Sequence, residues 1–170
     1  QALLELNFDG YYFTGSYNTG KHIATEIARK LVPLQLELGG KDPLFVADDV
    51  KDVKQAAINA AEGAFYNNGQ SCCAVERIYV AEKIYDDFVA AFTSEVNSYI
   101  IGDPEKKETF IGPLTREQQI SVLNDQVADA VQKGAILKTG GSRMEGNGNY
   151  YLPTVLVNCD HNMKVMHDES

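Results

Sequence analysis

Residues 65–74 read FYNNGQSCCA and predict a polar turn that carries two adjacent thiols, Cys72 and Cys73. A cysteine acts as a nucleophile where it is partly exposed and lies near a positive potential or a base. Free cysteines are more often small core residues, and the turn by itself leaves this alternative open. The three histidines do not cluster with either cysteine along the sequence, so neither a Cys–His pair nor a metal-ligand spacing has support.

Upstream of this turn, residues 36–43 read LELGGKDP and place the carboxylate of Glu37 between two leucines of a predicted strand. One interpretation is a buried carboxylate, whose pKa is raised by desolvation to the range that a general base needs. The other is an exposed position, because alternation puts Glu37 on the strand face opposite Leu36 and Leu38. The pattern alone leaves both interpretations open.

Residues 13–16 read FTGS and lie where a predicted strand runs into a helix. The start of a helix offers free N–H groups and the positive end of a dipole, which suit a phosphate group. Gly15 would allow close approach of such a group, and the Ser16 hydroxyl could donate a hydrogen bond. The alternative is a tight turn in which Ser16 only caps the helix, because a single Gly-Ser pair is a weak signal and the G-x-G-x-x-G fingerprint is absent.

Strands and helices are predicted to alternate along the chain, which is typical of an α/β architecture. Short apolar or aromatic runs predict strands at residues 11–13, 34–38, 44–46, 77–81, 135–137 and 151–157. Apolar residues at helical spacing predict four core-facing stripes. Their members are Ile23, Ile27 and Leu31; Val53, Ala57, Ala60, Ala61 and Ala64; Ile84, Phe88, Phe92, Val96 and Tyr99; and Ile120, Leu123, Val127 and Val131. Pro33 is predicted to end the first helix, and Asp48 and Asp49 are predicted to cap the second.

The composition narrows the class of protein. Of 170 residues, 44% are apolar and 23% are charged, so the chain has enough apolar material for a core and a disordered chain is excluded. The formal net charge of −9 disfavours nucleic acid and anionic membranes as partners. No apolar run approaches the roughly 20 residues of a membrane helix. Three cysteines form no disulfide framework, so a reducing, cytoplasmic compartment is expected.

Taken together, the quoted segments resemble the NAD(P)-dependent aldehyde dehydrogenase superfamily. Residues 36–43 are similar to its glutamate signature, and residues 65–74 are similar to its cysteine signature. The two signatures occur in the family's order, and their separation is within one or two residues of what the family shows. Residues 13–16 resemble its coenzyme turn, and the segments 102–104, 112–114 and 150–156 also fit. The resemblance covers nearly the whole chain.

The resemblance implies a fold and a domain organisation. The fold would be the aldehyde dehydrogenase-like three-layer α/β/α fold, incomplete because the chain is expected to be truncated at both ends. Residues 1–36 would be the C-terminal part of a Rossmann-like coenzyme-binding domain. Residues 37–170 would be the thiol-bearing catalytic α/β domain, incomplete at its C-terminus. We therefore expect a fragment of a longer enzyme that is inactive by itself.

The resemblance also implies the oxidation of an aldehyde to a carboxylic acid with NAD or NADP as cofactor, NAD being slightly favoured. Cys72 would be the nucleophile that forms a thiohemiacetal and then a thioester. Glu37 would activate the water that releases the acid. Gly15 and Ser16 would contact the coenzyme pyrophosphate, and Glu169 would hold the nicotinamide ribose. No metal is implied.

Cys73 receives no role from the resemblance and is expected to pack in the core, whereas Cys159 is expected to be an unreactive thiol. Because deacylation needs the base within one water of the thioester, Glu37 and Cys72 are expected to meet at one cleft. The expected partner is a small-molecule aldehyde, with neither nucleic acid nor membrane involved. The full-length protein is expected to form a homodimer or homotetramer.

Two other functions stay open at this point. A CoA-acylating relative would let a thiol attack the thioester in place of water, but Glu37 disfavours it because a deacylating base suits hydrolysis. A non-catalytic structural or binding protein could keep the same fold, and the presence of both Glu37 and Cys72 disfavours that alternative.

Overall fold

A computed structural model describes residues 2–170, which contain five α-helices and six β-strands. The helices are α1 (Ala2–Glu5), α2 (Tyr17–Ile27), α3 (Val53–Phe65), α4 (Tyr85–Ser98) and α5 (Glu117–Gln132). The strands are β1 (Tyr11–Gly15), β2 (Leu34–Leu38), β3 (Asp42–Val46), β4 (Val75–Val80), β5 (Ile136–Thr139) and β6 (Val155–Val157). This arrangement confirms the predicted α/β class. Within residues 2–170, no helix is both long and apolar enough to cross a membrane.

The chain divides into two compact units, Gln1–Gly40 and Lys41–Ser170. The domain boundary predicted between residues 36 and 37 lies inside β2. A division there would cut a strand whose pairing with β1 continues to Leu38. The first unit therefore keeps the whole of β2, including Glu37.

In the first unit, β1 and β2 form a parallel pair that runs from Tyr11 beside Leu34 to Gly15 beside Leu38. Parallel neighbours need a crossover, and α2 provides it. A Cβ atom added at Gly20 of α2 would lie 2.6 Å from a methyl carbon of Leu38. The glycine therefore allows the helix to approach β2 closely.

The end of α2 differs from the prediction. The α-helix ends at Ile27, and a single 3-10 turn, Ala28–Lys30, follows it. Leu31 then adopts a left-handed conformation with φ of 53°, and its side chain is 93% exposed. The predicted extension of the apolar stripe to Leu31 was wrong, because the left-handed residue turns the chain away from the helix axis before Pro33 is reached.

The core of the second unit forms where α3 and α4 pack beside the parallel pair of β3 and β4. Ala57 and Ala61 of α3 are fully buried, as their helical spacing predicts. Their small side chains let the larger rings of α4 come close. Phe88 and Phe92 stack with their ring centroids 5.8 Å apart. The predicted apolar faces of both helices are therefore confirmed.

The cap of α3 is Asp52 and not the predicted pair Asp48 and Asp49. The Gln55 N–H donates a hydrogen bond of 2.9 Å to the Asp52 carboxylate, which satisfies one of the free donors of the first helical turn. The earlier pair lies too far upstream to reach these donors, and Asp48 forms an ion pair with Lys83 instead.

Replacing Asp52 by alanine is expected to lower the free energy of unfolding by about 1 kcal/mol, because an N-cap bond is lost. Urea unfolding followed by circular dichroism measures the change. Asp49→Ala is the matched control and should have a much smaller effect. A larger loss at Asp49 than at Asp52 would contradict this assignment of the cap.

The last third of the chain also departs from the predicted pattern in two places. Along α5, Val131 is 46% exposed, because its neighbour Ala130 and the polar Gln126 take the buried positions of the last turns. The final strand β6 starts at Val155 and not at residue 151. Tyr151 still pairs with Arg143 as an isolated antiparallel bridge. Between this bridge and β6, Pro153 lacks an N–H group, and the Thr154 hydroxyl donates to the Leu152 carbonyl and accepts from the Gly141 N–H, so the regular pairing is interrupted.

Candidate active site

The turn before the two thiols is built from consecutive left-handed residues. Asn67, Asn68 and Gly69 have φ angles of 51°, 58° and 73°. Asparagine tolerates this conformation better than most residues, and glycine adopts it without steric cost. The sequence Asn-Asn-Gly therefore ends α3 abruptly and reverses the chain, which places Cys72 and Cys73 in the loop that leads into β4.

Two side chains attach this turn to the loop at residues 112–115. Asn68 accepts a hydrogen bond of 2.9 Å from the Gly112 N–H and donates one of 3.0 Å to the Pro113 carbonyl. Gln70 accepts a bond of 2.9 Å from the Thr115 N–H. Sequence reasoning assigned no role to Asn68 or Gln70. Both residues lie in the segment 65–74, but the sequence carries no signal that this segment contacts residues 112–115.

Both thiols of the turn are exposed, so the prediction that Cys73 packs in the core was wrong. The neighbouring Ala74, which is almost fully buried, takes the core position in its place. The Cys73 Sγ lies 3.5 Å from the Ser71 hydroxyl and 3.3 Å from the Tyr66 hydroxyl. Hydrogen bonding with Ser71, and then with Tyr66, favours the thiolate and lowers the pKa of Cys73.

Cys159 occupies a different environment after β6. Its side chain is partly buried, and burial together with the nearby negative charge of Asp160 raises the pKa of its thiol. Both effects disfavour the thiolate, which is the nucleophilic form. The structure therefore supports the expectation of an unreactive thiol at this position.

We predict that iodoacetamide alkylates Cys72 and Cys73 faster than Cys159. The rate at Cys73 should reach half its maximum at a pH below the ordinary thiol pKa of about 8.5, because the pKa of this thiol is lowered. The rate at Cys159 should reach half its maximum at a higher pH, because the pKa of this thiol is raised. Mass spectrometry of digested protein gives the rates. Separate Cys73→Ser and Cys72→Ser variants resolve the two adjacent thiols. Equal rates at all three cysteines would contradict this prediction.

Glu37 lies on the exposed face of β2, opposite Leu36 and Leu38, which is the second of the two positions considered above. Its carboxylate accepts a hydrogen bond of 2.9 Å from the Gln35 side-chain amide. In the parallel pairing Glu37 lies beside Thr14, so it occupies the carboxyl end of the two strands. The sheet thus brings the glutamate next to the turn at residues 13–16.

The turn at residues 13–16 leads directly into α2. Ser16 is the N-cap of α2, and its hydroxyl accepts a bond of 3.4 Å from the Thr19 N–H and donates one of 3.0 Å to the Thr19 hydroxyl. Capping by Ser16 therefore occurs in the structure. Gly15 and Ser16 are both exposed at the start of an eleven-residue helix, and the start of a helix offers free N–H groups that suit an anion. Their contact with a coenzyme stays a prediction.

Glu169 lies beside a partly buried ion pair in the second unit, formed by Lys41 and Glu76. Partial burial, followed by the negative charge of Glu76, raises the pKa of the Glu169 carboxyl, while Lys41 acts in the opposite direction. Among residues 2–170, no three His, Cys, Asp or Glu side chains are grouped in a way that could hold a metal ion.

The predicted site residues fall into two sets. Glu37, Gly15 and Ser16 share one end of the sheet in the first unit, whereas Cys72 and Glu169 belong to the second unit. The expected meeting of Glu37 with Cys72 involves both units and stays a prediction.

The chain is similar in sequence and structure to known proteins of one family. Residues 3–170 match the family model described as the Aldehyde dehydrogenase family. The succinate-semialdehyde dehydrogenase (NADP+) of Deinococcus radiodurans is 38% identical, over 99% of this chain and 35% of its own length. An NAD-dependent aldehyde dehydrogenase from Sinorhizobium meliloti has a TM-score of 0.94 at 33% identity, over 98% of this chain and 33% of that one. Betaine aldehyde dehydrogenase from Staphylococcus aureus, in complex with NAD+, has a TM-score of 0.89 at 33% identity, over 95% of this chain and 32% of that one.

These similarities confirm the fold expected from the two signatures. The chain spans about a third of the length of the curated relatives that it matches. The match to the family model extends over nearly every residue of the chain. This chain therefore belongs to the aldehyde dehydrogenase family.

Proposed function

We propose that the full-length protein oxidises a small-molecule aldehyde to a carboxylic acid with NAD or NADP, with Cys72 as the nucleophile. The observation that carries this proposal is the exposed thiol of Cys72 in a turn that Asn68 and Gln70 attach to a neighbouring loop. A fixed and accessible thiol is what attack on a carbonyl carbon requires.

The first step forms a covalent bond to the protein. The Cys72 thiolate attacks the aldehyde carbon, a C–S bond forms, and the carbonyl π electrons move to oxygen. The Cys72 backbone N–H is the donor that we assign to this oxyanion. Bound NAD or NADP supplies the acceptor for the hydride that leaves the same carbon. The acyl group is then held as a thioester on Cys72.

Three residues are assigned to holding the coenzyme. Gly15 and Ser16 would bind its pyrophosphate at the start of α2, where exposed N–H groups and the helix dipole favour an anion. Glu169 would accept a hydrogen bond from a ribose hydroxyl. We propose that residues 1–36 form the end of the coenzyme-binding domain and residues 37–170 part of the catalytic domain; the compact units Gln1–Gly40 and Lys41–Ser170 support this division to within four residues.

The second step releases the product. Glu37 takes a proton from a water molecule, the resulting hydroxide attacks the thioester carbon, and the C–S bond breaks to give the acid and the Cys72 thiolate. The exposed position of Glu37 on β2 leaves its carboxylate accessible to water, although it also accepts a hydrogen bond from Gln35. This role requires Glu37 to reach the thioester through one water in the full-length enzyme. We further propose that this enzyme is a cytoplasmic homodimer or homotetramer.

Incubation of the full-length protein with NAD+ or NADP+ and a panel of aldehydes tests the proposal. We expect reduced coenzyme and carboxylic acid in equal amounts without coenzyme A. Absorbance at the reduced-coenzyme band and chromatography of the acid measure the two products. A strict requirement for coenzyme A would indicate an acylating enzyme, and no turnover with any aldehyde would indicate a non-catalytic protein.

A further inference from the structure

Gln126 is a buried polar side chain in the middle of α5, and only 3% of it is exposed. Its side-chain N–H₂ donates hydrogen bonds to two consecutive carbonyl oxygens, at 2.9 Å to Glu169 and at 3.4 Å to Asp168. Its side-chain oxygen accepts a bond of 2.9 Å from the Ser170 hydroxyl. One amide thus contacts three successive residues of the segment 168–170.

The same segment is held from a second side by the ion pair of Lys41 and Glu76. The two charged groups are 2.6 Å apart, and their side chains are only 8% and 14% exposed. Lys41 also donates a bond of 2.6 Å to the Ser170 hydroxyl, and Glu76 accepts one of 3.0 Å from the Ser170 N–H. Both of these bonds hold Ser170, the residue next to Glu169.

The burial of Gln126 explains why its side-chain amide needs partners from the segment 168–170. A buried amide without partners costs free energy, so the native arrangement is the one in which the segment 168–170 supplies them. An apolar residue at this position of α5 could make none of these hydrogen bonds. The amide instead restricts the backbone of Glu169 to one geometry, and the direction of a side chain follows from its backbone.

We propose that Gln126 is a positioning residue that fixes the backbone of Glu169 and thereby aims its carboxylate at the bound coenzyme. The inference rests on the proposed role of Glu169 at the nicotinamide ribose. Gln126 itself touches neither coenzyme nor substrate in this proposal. Loss of the Gln126 side chain should therefore weaken the binding of coenzyme and leave the binding of aldehyde unchanged.

The test uses Gln126→Met in the full-length enzyme, since methionine keeps the length of the side chain and removes its hydrogen bonds. We expect the KM for coenzyme to rise about tenfold, as the loss of one to two hydrogen bonds predicts, while the KM for aldehyde stays within about twofold. Gln132→Met is the matched control, because Gln132 is exposed on the same helix. An unchanged coenzyme KM in Gln126→Met would overturn the inference. Gln126→Glu, which keeps the shape and removes the donors, gives a second variant in case the first does not fold.

A double-mutant cycle separates this inference from the proposed function. Glu169→Gln alone should raise the coenzyme KM, and adding Gln126→Met should give no further rise, because both changes act on the same contact. Additive effects would overturn the positioning role and leave the role of Glu169 intact. If Glu169→Gln has no effect on the coenzyme KM, the ribose role fails and the inference falls with it.

Discussion

Replacing Cys72 by alanine in the full-length enzyme is expected to reduce kcat for aldehyde oxidation by about 10⁴-fold or more, because the acyl group then has no covalent carrier. The effect on folding should be small, since the side chain is exposed. Coenzyme binding should persist in the variant. Steady-state formation of reduced coenzyme, together with a coenzyme titration, measures both properties.

The adjacent Cys73 supplies the matched control for this experiment. Cys73→Ala removes a thiol that is also exposed and that is bonded to the hydroxyls of Ser71 and Tyr66. We expect it to retain most of the turnover, because the resemblance to the cysteine signature implies that the first thiol of the pair, Cys72, is the nucleophile. A loss of turnover in Cys73→Ala with retention in Cys72→Ala would reassign the nucleophile to Cys73.

Replacing Glu37 by glutamine in the full-length enzyme is expected to lower steady-state turnover by about 10²–10⁴-fold, the usual effect of losing a general base. Formation of the thioester should be spared, because the change removes a charge and alters the shape of the side chain little. Rapid mixing with coenzyme and aldehyde should therefore still give a burst of reduced coenzyme near one per site. The burst amplitude and the later steady rate are the two measured quantities.

Other outcomes of this experiment would assign Glu37 differently. Loss of the burst together with turnover would show that Glu37 activates the Cys72 thiol and does not serve the water. Retention of both would leave Glu37 as an exposed strand carboxylate that only bonds Gln35. Glu26→Gln is the matched control, since Glu26 is a helix-surface carboxylate of the same unit that pairs with Arg29. This control should change neither quantity.

Features that depend on near neighbours in the chain were predictable. The strand at Leu34–Leu38 has the bounds that its alternating pattern predicts, and the apolar faces of α3 and α4 are the predicted ones. The family followed from two signatures in order, and the comparisons confirm it. These features are readable because side-chain periodicity and turn chemistry operate over a few residues.

Predictions from the local sequence were wrong where the same stretch of chain was compatible with more than one local structure. Asp48, Asp49 and Asp52 can each cap a helix, and only the geometry of the Gln55 N–H selects Asp52. The conformation of Leu31 and the exposure of Cys73 were missed for the same reason. In each case the local sequence was compatible with more than one arrangement, and the folded structure shows which one occurs.

The sequence by itself therefore determined the α/β class, the family and the thiol-bearing turn, since each depends on residue types at short spacing. Only the tertiary structure revealed that Asn68 and Gln70 hold that turn against residues 112–115, and that Gln126 holds the segment 168–170. These bonds join residues more than forty positions apart. A buried amide takes whichever partner the folded backbone brings within reach, because leaving it unpaired costs free energy. Its partner is therefore fixed by the packing of helices and strands and carries no local signal in the chain.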